Sequence, residues 1–131
     1  MLSLPFAFRL EKTMGLTDTR LTVANPLDRT RSRQLNFLVD SGAIYSVVPR
    51  DILLGLGIVP DGRESFSLAD KTSIEREVGE AAFTYQGRTR TSPVMFGEDG
   101  DSILLGVMTL ESLGLLLDPV RQEVRPMLLR V

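Results

Sequence analysis

The sequence predicts an all-β fold with one or two short helices, and three features of the chain lead to this prediction. Apolar and polar residues alternate over most of the 131 residues, which is the pattern of strands with one buried face. Turn-forming residues interrupt the alternation about every eight to twelve residues, a spacing typical of a barrel or a sandwich. Helical spacing of apolar residues is confined to two short stretches. A chain of this length fits one domain with a core of its own.

The alternation predicts strands along most of the chain. A first strand includes Leu21 and Val23, and the polar stretch that follows it, up to Arg33, is predicted to be a loop. Pro93 indicates a strand edge or a bulge, because proline has no N–H for a central ladder. Further strands are predicted at residues 35–39, 47–48, 66–68, 74–78, 81–85, 88–96, 103–106, 115–117 and 124–131. The apolar residues predicted to be core are Phe37, Leu104, Leu105 and Leu115 to Leu117.

The two stretches with helical spacing are residues 50–56 and residues 108–113. Gly57 follows the first and Gly114 follows the second, and glycine is the residue that most often ends a helix. Both helices are therefore predicted to be short, of about two turns at most.

Composition excludes several kinds of chemistry. The chain has no cysteine and no histidine, which removes disulfides, thiol nucleophiles, histidine-based triads and most zinc sites. We therefore predict no cofactor and no metal. The net charge of −2 gives no overall basic field for nucleic acid, and the basic residues Arg29, Arg31 and Arg33 are predicted to lie in an exposed loop.

The N-terminal residues are the basis for the predicted cellular location and for the predicted domain boundary. Their apolar stretch is too short to span a bilayer and lacks the features of a signal peptide, so a cytoplasmic protein without a membrane partner is expected. Met14-Gly15-Leu16-Thr17 makes a natural start before the first strand. We therefore predict a peripheral N-terminal extension at residues 1–13 and one domain at residues 14–131.

The tripeptide Asp40-Ser41-Gly42 is the main candidate for chemistry. It follows the apolar run Phe37-Leu38-Val39, so a buried strand would deliver one carboxylate into a tight turn. Two neighbouring carboxylates can share one proton and activate water for peptide hydrolysis. The motif occurs once, so the second carboxylate would have to come from another copy of the chain. Asp, Ser and Gly are also common turn formers, and an ordinary β-turn is the alternative.

A second element strengthens the functional interpretation. Ile103-Leu104-Leu105-Gly106 is an apolar strand that ends in glycine and precedes a short helix. Together with the Asp40 segment and with Ser46-Val47-Val48-Pro49, it resembles the retropepsin-like aspartic proteases, and among them the small prokaryotic single-lobe type. The resemblance covers residues 15–128.

The resemblance implies a single-lobe acid-protease fold, which is a closed β-barrel, and a homodimer that hydrolyses peptide or protein substrates. It implies that Asp40 is catalytic, in an active-site loop completed by Ser41, Gly42 and Ala43. Gly42 would let backbone amides approach the carboxylate, Ser41 would direct its hydroxyl across the two-fold axis, and Ser46 would hydrogen-bond near the carboxylate. The hairpin over the site would contact substrate through its tip, which consists of Ala69, Asp70, Lys71 and Thr72.

The chain departs from the family pattern at two places. The tip of the hairpin has no glycine, and Val107 stands where viral members commonly carry arginine after the glycine of the second element. In the family, the chain ends form a sheet at the dimer interface, and the resemblance makes four apolar residues near the C-terminus candidates for one of its strands. These residues are Val124, Met127, Leu129 and Val131.

Alternatives remain for the whole chain and for single carboxylates. The chain can be a dimeric peptide-binding or scaffolding domain that has the same fold and does not cut, or a soluble β domain in which Asp40-Ser41-Gly42 occurs by chance. Asp70 is predicted to be a turn residue. Asp99 and Asp101 are predicted to lie in an exposed loop, because no set of metal ligands surrounds them.

Overall fold

The computed structural model describes residues 17–128, which form a mostly β fold with two short helices. The strands in this part of the chain are β1 (Asp18–Asn25), β2 (Asp28–Val39), β3 (Ser46–Pro49), β4 (Gly62–Ser67), β5 (Ser73–Tyr85), β6 (Arg88–Gly97), β7 (Leu104–Leu105), β8 (Leu115–Asp118) and β9 (Glu123–Pro126). The helices are α1 (Arg50–Gly55) and α2 (Val107–Ser112). The predicted all-β class with short helices is confirmed, whereas the predicted extension at residues 1–13 lies outside the described residues.

Seven of these strands form one sheet in the order β1-β2-β7-β3-β6-β5-β4. β1 also pairs with β5, through the register Thr22↔Thr84 to Ala24↔Ala82. Six strands therefore pair in a ring, and β4 is joined to it through β5 alone. β8 and β9 form a separate two-stranded sheet. The ring of pairings is compatible with the closed barrel expected from the sequence.

The β1–β2 hairpin corrects one prediction. The polar residues up to Arg33 do not form a loop, because Asp28–Val39 is continuous strand and Arg33 is opposite Val23 in the register. The turn is only Pro26 and Leu27, where the N–H of Leu27 donates to Oδ1 of Asn25 at 2.8 Å. Polar composition indicates exposure, but pairing with a neighbouring strand decides whether an exposed segment is extended.

The main core contains side chains from strands of the seven-stranded sheet, from both helices and from β8. Phe37 and Phe83 meet edge to face with ring centroids 6.1 Å apart, and Leu105 is fully buried beside them. Leu115 is buried as expected, but Leu116 is 37% exposed. Successive strand residues point to opposite faces, so the prediction that all of residues 115–117 are core is wrong for Leu116.

Glycine ends both helices where it was expected. Gly57 has a φ of +82° and Gly114 a φ of +69°, a backbone conformation that costs glycine little. The N–H of Gly57 donates to the carbonyl of Leu54, and the N–H of Gly114 to that of Glu111. Pro93 is also at a position that tolerates it, since β3 pairs with β6 only from Val94 onward.

The strands β8 and β9, at residues 115–126, form a hairpin within the chain. β9 pairs with β8, and Leu117 is opposite Val124 in the register. Val124 is partly buried against the main core of its own chain. Met127 donates its backbone N–H to the carbonyl of Gly114 at 2.7 Å. Leu129 and Val131, the other candidates for an interface strand, lie outside the described residues.

Candidate active site

Asp40 directly follows β2, a strand that lies between β1 and β7 in the sheet. β2 pairs in parallel with β7, with Leu38 opposite Leu104 and Val39 opposite Leu105. The N–H of Asp40 donates to the carbonyl of Leu105 at 3.0 Å. The apolar residues 37–39 are buried, so the strand is anchored on both faces. This anchoring determines where the first polar residue after the strand emerges.

The loop after β2 turns back on the Asp40 carboxylate. The N–H of Gly42 donates to Oδ1 of Asp40 at 2.9 Å, and the N–H of Ala43 donates to the Asp40 carbonyl at 3.1 Å. A Cβ atom at Gly42 would lie 3.2 Å from the same Oδ1, so a side chain there would crowd the carboxylate. Asp40 itself is half-buried, while Ser41 and Gly42 are exposed.

The β7–α2 segment binds the Asp40 loop through backbone hydrogen bonds. At the start of α2, Val107 N–H donates to the carbonyl of Ala43 at 2.8 Å, and Met108 N–H donates to that of Ile44 at 3.1 Å. Gly106 packs directly against the loop: a Cβ atom there would lie 2.5 Å from the carbonyl carbon and oxygen of Tyr45. The glycine at the end of the second apolar element thus allows two backbone segments to touch.

Buried hydroxyl groups connect β3, β6 and the β7–α2 segment. We expected Ser46 to hydrogen-bond near the Asp40 carboxylate. Instead, Oγ of Ser46 accepts the N–H of Gly106 at 3.0 Å and shares a hydrogen bond with Oγ1 of Thr109 at 2.6 Å. Thr109 also bonds Ser92 at 3.0 Å, and all three hydroxyl side chains are buried. Polar residues inside a core need partners, and the sequence contained no local signal for this pairing.

A cavity of about 540 Å³ opens beside Asp40. The Asp40 loop lines one side, including Ala43, and the β4–β5 hairpin lines the other, including Phe66 and Ile74. The cavity floor is a small apolar cluster that includes Met95 and Leu104. The structure therefore brings the Asp40 carboxylate to the edge of a largely apolar space.

The hairpin tip is a closed turn outside the lining of this cavity. Lys71 has a φ of +71°, and its N–H donates to the carbonyl of Leu68 at 2.9 Å. Oδ1 of Asp70 accepts the N–H of Thr72 at 3.0 Å. Asp70 thus acts in the turn, and neither it nor Ala69, Lys71 or Thr72 is among the residues that line the cavity.

Tyr45 and Glu64 join the Asp40 loop to the β4–β5 hairpin, and neither residue was identified from the sequence. The hydroxyl of Tyr45 donates to Oε2 of Glu64 at 3.0 Å, and the Tyr45 ring meets Phe66 edge to face at 5.6 Å. Glu64 and Phe66 are two positions apart on β4, so their side chains lie on the same face of the strand. Their shared face could be predicted from the spacing in the sequence, but the contact with Tyr45 could not.

The Glu64 carboxylate changes the acidity of Tyr45. The hydrogen bond to Glu64, and then desolvation and the nearby negative charges, raise the pKa of the Tyr45 hydroxyl above its usual value of 10.0. A group whose pKa is raised by folding stabilises the folded state below its unfolded pKa, and this contribution is lost as the pH rises through the folded pKa. Tyr45 therefore favours the folded state at neutral pH and ceases to do so in alkali.

This acidity can be measured because the chain has only 2 tyrosines. In a Tyr85→Phe variant, Tyr45 is the only tyrosine left, and its ionisation is followed by ultraviolet absorbance against pH. We expect a pKa above the usual value, because the neutral hydroxyl donates to an anion. Adding Glu64→Gln should lower this pKa, whereas Glu75→Gln on the next strand should leave it unchanged. An unchanged pKa in the Glu64→Gln protein would contradict the contact.

A nearly buried ion pair joins β5 to the loop after β6, and it was not predicted from the sequence. Arg76 on β5 donates to both carboxylate oxygens of Asp101, at 2.9 and 3.3 Å. Only 11% of the Arg76 side chain and 1% of the Asp101 side chain are exposed. Oδ2 of Asp101 also accepts the N–H of Glu98 at 2.8 Å. The prediction of an exposed Asp101 is therefore wrong, since its partner comes from a distant strand.

Residues 17–128 contain no helix that is both long and apolar enough to cross a membrane. In the same part of the chain, no three His, Cys, Asp or Glu side chains cluster in a way that would hold a metal ion.

Comparison with known proteins gives a likeness of fold. No protein-family model matches the chain, and no curated protein matches it. Among solved structures, the foamy viral protease-reverse transcriptase in complex with an RNA/DNA hybrid is similar, with a TM-score of 0.51 and 19% sequence identity. The match covers 89% of this chain and 13% of that one. This chain thus has the fold of a small part of a viral protein that includes a protease.

Proposed function

We propose that this protein is a retropepsin-like aspartic endopeptidase that works as a homodimer, with one Asp40 from each subunit in a shared site. The observation that carries the proposal is the position of Asp40. Its carboxylate follows the buried C-terminal part of β2, accepts the N–H of Gly42, and borders a cavity of about 540 Å³. The likeness of fold to a protein that includes a viral protease supports the proposal. In this proposal, the ring of six paired strands is the closed barrel of that protease type.

The proposed chemistry needs two Asp40 carboxylates that share one proton, because like charges at short range cannot both ionise. The ionised carboxylate takes a proton from water while the water oxygen bonds to the peptide carbonyl carbon. The other carboxyl gives its proton to the carbonyl oxygen. The diol then returns that proton as its C–N bond breaks, and the amine leaves with the proton from water. The pair ends with one proton, as it began.

The second carboxylate must come from another chain. Among the described residues, Glu64 is the one other acidic residue that lines the cavity, and its carboxylate accepts the Tyr45 hydroxyl. The surface next to the Asp40 loop supports pairing of two copies. Ile44 is 61% exposed and Met108 is 37% exposed, and these two residues are joined through their backbones. A two-fold-related copy would cover this apolar surface.

The proposed substrate is an extended peptide held between the Asp40 loop and the β4–β5 hairpin. Within residues 17–128, β4 pairs only with β5, so its other edge has backbone groups that an extended peptide can pair with. The tip residues Ala69, Asp70, Lys71 and Thr72 would contact the substrate from outside the cavity.

The test combines an activity assay with a mass measurement. A peptide library is incubated with the protein between about pH 4 and 7, because coupled carboxylates can retain a shared proton in acid, with and without pepstatin. Sedimentation equilibrium gives the mass of the protein. We expect cleavage that pepstatin inhibits and the mass of a dimer. A dimer that binds peptides without cutting them would favour the scaffolding alternative, and a monomer that neither binds nor cuts would favour a chance motif.

A further inference from the structure

The charged residues that line the cavity beside Asp40 are both acidic. Apart from Asp40, Glu64 is the charged residue in its lining, and no lysine or arginine of residues 17–128 lines it. The rest of the wall is largely apolar, with Phe66, Ile74 and Leu104 among its members. A side chain that enters this space therefore meets apolar surface and negative charge.

Glu64 has an arginine beside it that pairs elsewhere. Glu64 is directly opposite Arg76 in the β4–β5 register, and directly opposed residues lie on the same face of a sheet. Arg76 nevertheless donates to both oxygens of Asp101. None of the ion pairs among residues 17–128 includes Glu64. The charge of Glu64 is thus left without an ion-pair partner among residues 17–128.

Tyr45 fixes the orientation of this carboxylate. Its hydroxyl donates to Oε2 of Glu64 at 3.0 Å, and its ring packs on Phe66. An anion that accepts one hydroxyl keeps further acceptor sites on both oxygens. Glu64 is therefore held at the cavity with capacity for a cationic donor.

We propose that Glu64 selects substrates with lysine or arginine at the residue whose side chain enters this cavity. The proposal rests on the proposed peptidase function, and because Asp40 lines the same cavity, the selected residue is next to the cleaved bond. The aliphatic stem of the side chain packs on the apolar wall while its charged end reaches Glu64. The aromatic rings of Tyr45 and Phe66 also attract a cation. An acidic side chain is disfavoured by Asp40 and Glu64 together.

The size of the preference follows from the exposure of Glu64. The residue is exposed, so water and salt screen part of its attraction for a cation. A charge-assisted hydrogen bond in this setting corresponds to a preference of about three- to tenfold for lysine over norleucine, which has no charge. Raising the salt concentration should reduce the preference.

The test measures binding separately from cleavage. Labelled peptides differ at one position, which carries lysine, arginine, norleucine or glutamate, and this position is moved along the peptide. Their binding to the full chain with Asp40→Asn is measured by fluorescence polarisation, and their cleavage by the wild-type protein is measured in parallel. At one position, lysine and arginine should bind about three- to tenfold more tightly than norleucine, and glutamate should bind most weakly.

Matched variants identify the residue responsible. Glu64→Gln should bring the ratio of lysine to norleucine binding close to one. Glu75→Gln removes an exposed carboxylate from the same hairpin, at the position opposite Ser65, and should leave the ratio unchanged. A lysine preference that survives Glu64→Gln, or the lack of a preference at every position, would overturn the proposal.

The outcomes also separate this proposal from the proposed function. Cleavage without a lysine preference would keep the peptidase and reject the role of Glu64. Selective binding that depends on Glu64, without cleavage, would reject the peptidase and keep Glu64 as the selecting group of a binding site. A protein that neither cleaves nor binds any of the peptides would overturn both.

Discussion

Replacing Asp40 with asparagine should reduce the proposed peptidase activity by about a thousandfold or more, because the proposed pair of carboxylates would lose its acid–base function. The protein should stay folded. Asparagine keeps an oxygen that can accept the N–H of Gly42, and none of the ion pairs among residues 17–128 uses Asp40. Activity on a cleaved peptide, thermal unfolding and sedimentation are measured together. Asp99→Asn is the matched control, since it removes an exposed carboxylate outside the cavity. Full activity in the Asp40→Asn protein would overturn the assignment.

The same variant tests whether two chains share one site. Wild-type and Asp40→Asn proteins are mixed in equal amounts and allowed to exchange subunits. If each site needs two Asp40 residues, random pairing leaves roughly one quarter of the dimers active. If each chain worked alone, roughly half of the activity of the same amount of wild-type protein would remain. A linear dependence on the wild-type fraction would therefore reject the shared site.

Replacing Gly106 with alanine should lower the free energy of unfolding by about 3 kcal/mol or more. The proposed peptidase activity should fall as well, because it depends on the folded Asp40 loop. The added Cβ would lie 2.5 Å from the carbonyl carbon and oxygen of Tyr45 and 2.9 Å from the carbonyl oxygen of Ile44. These are backbone atoms, so no rotamer change can relieve the contact. Relief requires separation of α2 from the Asp40 loop, which would break the hydrogen bonds from Val107 and Met108.

The matched control for this variant is Gly55→Ala. Gly55 ends α1, and a Cβ atom there would meet nothing within 4 Å. Alanine is favoured over glycine in a helix by up to about 1 kcal/mol, so this variant should be neutral or slightly stabilised. Urea unfolding of the two variants and the wild-type protein gives the comparison. A Gly106→Ala protein as stable as wild type would show that α2 does not contact the loop as closely as described.

Much of the fold was predictable because its signals are local. Alternation and turn residues predicted most of the strands, and Gly57 and Gly114 marked the ends of both helices. The error at residues 28–33 has a physical cause. Their polarity indicated exposure correctly, but a local reading cannot show that an exposed segment pairs with β1.

The candidate site was predictable in part. Asp40, Gly42 and Ala43 were singled out from their order along the chain, and the structure brings them together at one cavity. Tyr45 and Glu64 were not singled out, because their contact joins two segments whose approach depends on the packed sheet. The role of the tip residues remains a prediction.

The sequence by itself determined that this is a mostly β chain in which a single Asp-Ser-Gly turn follows an apolar run, residues 37–39, at the end of a strand. These properties depend on periodicity and on turn chemistry, which act between near neighbours. Only the tertiary structure decided which polar groups meet. Ser46 bonds Thr109 across 63 positions, and Arg76 pairs with Asp101 rather than with Glu64 beside it. Such choices depend on distances between segments far apart in the chain, and composition and spacing do not contain those distances.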